Sequence, residues 1–258
     1  MARIRLDQLL TERGLARSRA EAQALIHAGD VVLEGAPDRN LKPGQMVAGD
    51  VSVSLVDKPR WASRAGHKLE AALDAFGIDP AGMAVLDAGA STGGFTDVLL
   101  SRGARIVYAV DVGRAQLIQR LRDDPRVVSM ERTNLRVLHE LPVPIDLATL
   151  DLSFISLRLV LPAVRHLLAD DGRVVALVKP QFEAGKAEVP RGGVVRDPEV
   201  WRRVLSEVAE SAAEIGLNPR GVISSPIAGG HGNVEFLLEL SSDRTAEIPI
   251  LDAIGDWE

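Results

Sequence analysis

Val85-Leu86-Asp87-Ala88-Gly89-Ala90-Ser91-Thr92-Gly93-Gly94-Phe95 reads as a buried strand, a tight turn and the start of a helix. Glycines in such a turn let the backbone approach a ligand, and the free amides of a helix N-terminus favour an anionic group. Spacing narrows the ligand. A dinucleotide site expects G-x-G-x-x-G and a P-loop ends in G-K-[ST]. The glycines here fall as G-A-S-T-G-G, which fits neither.

Outward from this turn the chain alternates between helices and apolar strands. Ser63 can cap a helix whose Leu69, Ala72, Leu73 and Phe76 form one stripe. Strands are predicted at 84–87, 105–111, 127–131, 145–151 and 173–179, with helical segments between them, a pattern that implies a parallel sheet covered on both faces. After a helix at 199–215 come strands at 221–227 and 234–241 with no helix between, which predicts an antiparallel hairpin at one edge. Seven strands ending this way resemble the Rossmann-like class I methyltransferase variant of the doubly wound α/β fold. In those proteins the loop after the first strand wraps S-adenosylmethionine. That resemblance implies cofactor contacts from Asp87, Gly89, Ala90, Ser91, Thr92 and Gly93. Asp111 closes the second strand 22 residues after Gly89, placed to bind both ribose hydroxyls, and Asn134 is the candidate at the adenine.

Residues 1–58 read differently. Leu6, Leu9 and Leu10 keep helical spacing over 5–13, Ser18-x-x-Glu21 is a capping box for a second helix, and short β-like pieces follow at 31–33 and 51–54. Residues 59–62 are read as an interdomain linker and 63–258 as the larger domain. Net charge is −6, unevenly spread: 11 basic against 8 acidic residues through Lys68, then 19 against 28. A basic front on an acidic body suits a nucleic-acid module joined to an enzyme. Aromatic content is only 3%, so contacts to backbone and shape are expected to outweigh base stacking. There is no cysteine, which excludes disulfides, thiolate–zinc sites and cysteine nucleophiles. No metal site is expected. No apolar run approaches the ~20 residues of a membrane span and no signal-peptide core leads the chain; a cytoplasmic protein is expected.

Four charged residues stand where a second substrate would meet a cofactor. Lys68 lies in the first turn of the helix after Ser63, Asp151 ends the fourth strand, Lys179 ends the fifth, and Glu235 opens the last. As a set they resemble the Lys-Asp-Lys-Glu tetrad of ribose 2′-O-methyltransferases. A ribose hydroxyl is a poor nucleophile near neutrality, so an enzyme must align it and remove or polarise its proton. A lysine accepts a proton only when neutral; an unperturbed one titrates at about 10.4, and burial beside a second ammonium lowers that value. The resemblance therefore gives Lys179 the role of base or hydroxyl-polarising group, Asp151 that of orienting it, and Lys68 with Glu235 that of positioning the hydroxyl. An amino-methylating rival would carry [DN]-P-P-[FY] after the fourth strand; Asp151-Leu152-Ser153-Phe154 lacks both prolines.

Together, Asp87–Thr96, Asp151-Leu152-Ser153-Phe154-Ile155-Ser156, Val178-Lys179-Pro180-Gln181-Phe182-Glu183 and Gly232-Asn233-Val234-Glu235 resemble the TlyA family, also called haemolysins. Its members are ribosomal RNA (cytidine-2′-O)-methyltransferases related to FtsJ, which implies action on 16S and/or 23S ribosomal RNA within ribosomal subunits. The resemblance implies that Phe154 helps place the base and that residues 1–58 form an RNA-binding module of the type named after ribosomal protein S-four. Arg3, Arg5, Arg17, Arg19 and Arg64 become candidate RNA contacts. Ser63-Arg64-Ala65-Gly66-His67-Lys68 departs from the family's S-R-G-A-H-K by shifting the glycine one place. The haemolysin label adds the alternative of a membrane-active toxin, and a non-catalytic RNA-binding factor is a third.

Overall fold

The computed structural model describes residues 3–27, 31–34, 41–55, 60–114, 116–185, 188–229 and 232–243. The chain divides into two compact units, 1–60 and 61–258.

In the smaller unit the order is β1 (Arg3–Arg5), α1 (Leu6–Glu12), α2 (Arg19–His27), β2 (Val31–Leu33), β3 (Met46–Ala48) and β4 (Val53–Leu55). β1 pairs antiparallel with β3, and β2 with β4. Leu6, Leu9 and Leu10 of α1 meet Ala22 and Ile26 of α2 over Val31, Leu33 and Val47. Ser18 Oγ accepts the Glu21 amide at 3.2 Å, while the Glu21 carboxylate takes the Arg17 amide at 2.7 Å. This is the predicted capping exchange shifted by one residue. Two strands, β1 and β3, were not expected: three residues each are too short to show a period. Gly29, Gly35 and Pro59 lie outside the described residues.

The larger unit continues with α3 (Gly66–Ala75), β5 (Ala84–Ala88), α4 (Gly94–Ser101), β6 (Ile106–Val110), α5 (Gln119–Arg122) and β7 (Val127–Met130). It ends with β8 (Ile145–Leu150), α6 (Leu161–Leu167), β9 (Leu168–Val178), α7 (Pro180–Glu183), α8 (Pro198–Glu214), β10 (Asn218–Ser224) and β11 (Phe236–Ser241). One seven-stranded sheet runs β10-β11-β9-β8-β5-β6-β7. β5 through β9 are parallel to their neighbours, and β11 is antiparallel to both β9 and β10. The expected hairpin is therefore present, with its second strand inserted inside its first. Every residue of β5 is buried, because apolar clusters cover both faces. β5 lies between β6 and β8, so the chain crosses over in opposite directions from it. Such a reversal opens a crevice at the carboxyl ends of the strands.

Trp61, assigned to the linker from sequence, is instead buried in the core of the larger unit. Its side chain lies against Gly66, where any Cβ would collide with it. The displaced glycine of Ser63–Lys68 thus has a packing reason. The Ala62 amide donates to Asp97 at 2.8 Å, and Arg120 Nη1 donates to the same carboxylate at 2.7 Å. Among the described residues no helix is long and apolar enough to cross a membrane.

Candidate active site

The crevice beside β5 opens into a cleft of about 560 Å³ lined by Gly89, Ser91, Asp111, Gln116, Thr133, Asn134, Asp151, Ser153 and Phe154, among others. Its floor is the turn after β5. The amides of Gly89 and Ala90 both donate to the Val110 carbonyl, at 2.8 and 3.2 Å, docking the turn on the end of β6. Gly89 has φ +83° and a Cβ there would strike the Asp151 carbonyl, so the position demands glycine twice over. Gly93, at φ +99°, begins α4 with Leu117 and Leu121 packed where a Cβ would stand. Ser91 holds φ +46° without being glycine, the kind of strain that collects at functional sites.

Asp111 is fixed before any ligand arrives. Its two carboxylate oxygens accept the amides of Ser91 (2.8 Å) and Gly113 (2.7 Å). It lines the cleft, as does Asn134, whose Oδ1 accepts the Arg136 amide at 3.1 Å. Four of the expected cofactor contacts stand off the cleft wall. Asp87 does not line the cleft: it is fully buried and accepts Thr96 Oγ1 at 2.6 Å and Thr149 Oγ1 at 3.1 Å. Burial pushes its carboxyl up to about 6. Ala90, Thr92 and Gly93 likewise shape the turn rather than line the cleft, which the loop reaches only through Gly89 and Ser91.

The tetrad forms two ion pairs. Lys179 Nζ lies 2.6 Å from Asp151 Oδ1 and donates to Ser153 Oγ at 3.0 Å. Lys68 pairs with Glu235, both nearly buried. Phe236 is registered with Val178 across β11 and β9. Carried one residue further, that register sets Glu235 opposite Lys179. The two pairs therefore stand at the same end of the sheet. Lys68 also lines a second recess, about 330 Å³, with Ser63, Arg64 and Gly229. That places Arg64 on the tetrad's side of the larger unit.

Phe154 is 90% exposed and held at φ +63°. Its ring lies 5.0 Å from that of Phe182, and the two border a third recess with Gln181. Sequence reasoning gave no role to Ser153, Ser156 or Glu183. Ser153 accepts from Lys179, while Glu183, buried, accepts Ser156 Oγ at 2.6 Å and the Leu157 amide at 2.7 Å. All three stood inside quoted motifs, but only neighbouring strands bring them together.

In the smaller unit Arg5 and Arg19 converge on Asp7, which is wholly buried. Arg5 binds it through Nε (3.0 Å) and Nη2 (2.9 Å), and Arg19 through Nε (3.0 Å). The Arg5 guanidinium holds the Asp7 carboxyl well below the usual range. Both arginines remain substantially exposed. Arg3 donates to the Met46 carbonyl at 3.1 Å, and Arg17 stands on the surface before α2.

A seven-stranded sheet with this order, one inserted antiparallel strand, and a cleft at the end of its first strand define a class I methyltransferase fold. The sequence profile of the FtsJ-like methyltransferases matches residues 61–241. This chain belongs to the FtsJ-like methyltransferase family. It is 51% identical to the 16S/23S rRNA (cytidine-2′-O)-methyltransferase TlyA of Mycobacterium tuberculosis, over 98% of this chain and 94% of the relative. It is 31% identical to the 23S rRNA (cytidine-2′-O)-methyltransferase TlyA of Campylobacter jejuni, over 90% and 97%. A solved Streptococcus thermophilus structure, provisionally named a hemolysin, superposes with a TM-score of 0.73 at 42% identity, covering 98% of this chain and 95% of that one.

Proposed function

We propose that this protein transfers a methyl group from S-adenosylmethionine to the ribose 2′-hydroxyl of a cytidine in ribosomal RNA, acting in the cytoplasm on ribosomal subunits. The observation that carries this reading is the double position of Asp151, which lines the cofactor cleft and also pairs with Lys179 at 2.6 Å. Cofactor and hydroxyl would then share one carboxylate as their common wall.

The donor set suits the cofactor. Asp111, already fixed by two amides, has lone pairs left for the ribose hydroxyls, and two carboxylates in one cleft favour a sulfonium cation. Bound there, S-adenosylmethionine supplies an activated methyl group that needs no further polarisation. The chain's own work is at the other oxygen. Lys179, oriented by Asp151 and Ser153, grips the 2′-hydroxyl; Lys68, held by Glu235, fixes its approach. In the transfer the oxygen–carbon bond would form as the methyl–sulfur bond breaks and S-adenosylhomocysteine leaves, and the hydroxyl proton would pass to Lys179 in its neutral form, with Asp151 orienting the amine. The rigid sheet ends provide the alignment such a displacement needs.

Residues 1–58 serve in this reading as an S-four-type RNA-binding module, with Arg3, Arg5, Arg17 and Arg19 facing phosphates. The relatives named above act on 16S and 23S RNA or on 23S RNA alone, so both subunits are candidate substrates. The test is methylation of purified small and large subunits with labelled cofactor, followed by mapping of the modified position. Label at a cytidine ribose in at least one subunit is expected. Label confined to a base atom would overturn the reaction class.

A further inference from the structure

The segment carrying Phe154 is a six-residue loop, 151–156, between β8 and the helical turn Leu157–Leu159 that leads to α6. Its strained, outward phenylalanine needs support from both sides, since a non-glycine residue at positive φ persists only where neighbours over-determine it. Both flanks are tied to the segment that follows β9. On one side Ser153 Oγ accepts Lys179 Nζ at 3.0 Å. On the other, the buried Glu183 accepts Ser156 Oγ at 2.6 Å and the Leu157 amide at 2.7 Å. Arg158 closes the same tie, donating to Ser156 Oγ at 3.3 Å and to the Glu183 carbonyl at 3.2 Å, with a third bond of 3.2 Å to Glu207 on α8.

From this arrangement, and resting on the proposed cytidine substrate, we propose that Glu183 is a positioning residue. It holds the loop so that Phe154 projects as a platform for the target base and Ser153 stays against Lys179. The Phe154 and Phe182 rings, 5.0 Å apart and tilted by 48°, leave no slot for a base between them; the base stacks on the outer face of Phe154. A buried carboxylate accepting a hydroxyl and an amide is suited to the task, because removing it strands both donors. Glu183 touches neither cofactor nor ribose and acts through Phe154 and Ser153.

The test combines amide exchange with a double-substitution cycle in the full-length protein, using purified ribosomal subunits as substrate. Glu183→Ala is expected to speed exchange in the 153–158 peptide, raise KM for subunits about tenfold and leave cofactor affinity unchanged. Phe154→Ala is expected to raise KM similarly, and adding Glu183→Ala to it should cost no more than about twofold further. Glu183→Gln should recover only part of the loss, because its carboxamide oxygen can still accept the Leu157 amide, while Ser156 Oγ, already accepting twice from Arg158, loses the acceptor for its own proton. Unchanged exchange in Glu183→Ala overturns the proposal, and so do additive effects in the cycle. Should the wild-type protein label no cytidine ribose, the substrate reading fails, while amide exchange still decides whether Glu183 pins the loop.

Discussion

Lys179 is nearly buried with a carboxylate 2.6 Å from its amine, an arrangement that would be wasteful on a surface and is productive where a hydroxyl must be gripped. Lys179→Ala should lower methyl transfer by at least about 100-fold, with cofactor binding by calorimetry unchanged. The neighbouring pair, Lys68 with Glu235, is also structural. Lys68→Met leaves Glu235 buried without its cation, which costs about 3 kcal/mol or more; adding Glu235→Gln should recover part of the lost melting temperature. Asp87 makes a separate prediction about pH. Its carboxyl is pushed up to about 6 in the folded chain from 3.8. A raised carboxyl binds its proton more tightly when folded, so its contribution favours folding below the lower value and is lost as pH rises through the upper one. Asp87→Asn should therefore gain stability relative to wild type between pH 4 and 7 by up to about 3 kcal/mol. A difference in unfolding free energy that stays flat across that range would remove this role.

At the scale of elements, the turn after β5 sets where everything else can stand. Gly89→Ala places a methyl group against the Asp151 carbonyl in a backbone region that side chains avoid. Loss of cofactor binding, read by calorimetry, is expected to exceed any loss of thermal stability. Much of this was legible in the sequence, because buried parallel strands are continuous apolar runs and Val107–Val110 and Val174–Val178 each show one, while Ala84–Ala88 is broken only by Asp87. Helix starts were legible only in part: Ser18 accepts the Glu21 amide at the start of α2 as read, whereas Ser63 does not cap α3, whose N-cap is Ala65 without a side-chain bond. β1 and β3 were not legible, having three residues each. Nor was the insertion of β11 between β9 and β10, since strand order is decided by contacts far apart in the chain. The site divided in the same way. Lys179, Asp151 and Asp111 end apolar strands and could be placed from that alone. Asp87 ends one too, but Thr96 and Thr149 claim it from below, and Glu183 acquires its meaning only when β8 and β9 lie side by side.

Across the whole molecule, charge is uneven: the smaller unit, residues 1–60, carries 9 basic against 8 acidic residues, and the larger unit 21 against 28. If the front unit docks RNA, its grip comes from phosphate contacts and must weaken with salt. Arg5 and Arg19 are held ready by Asp7. Alanine at both would strand the buried Asp7, so the test replaces Arg3 and Arg17 instead, which should raise the Kd for ribosomal subunits about tenfold or more and flatten the salt dependence by about two phosphate contacts, leaving cofactor affinity intact. Unchanged salt dependence would move the docking surface elsewhere. The central claim is that Lys179 and Asp151 direct a methyl group onto a sugar oxygen. Nucleoside mass spectrometry of subunits treated with wild-type and Lys179→Ala protein tests it most directly. The account predicts 2′-O-methylcytidine with the first and none above background with the second; equal yields from both, or a methylated base in place of the ribose, would contradict it.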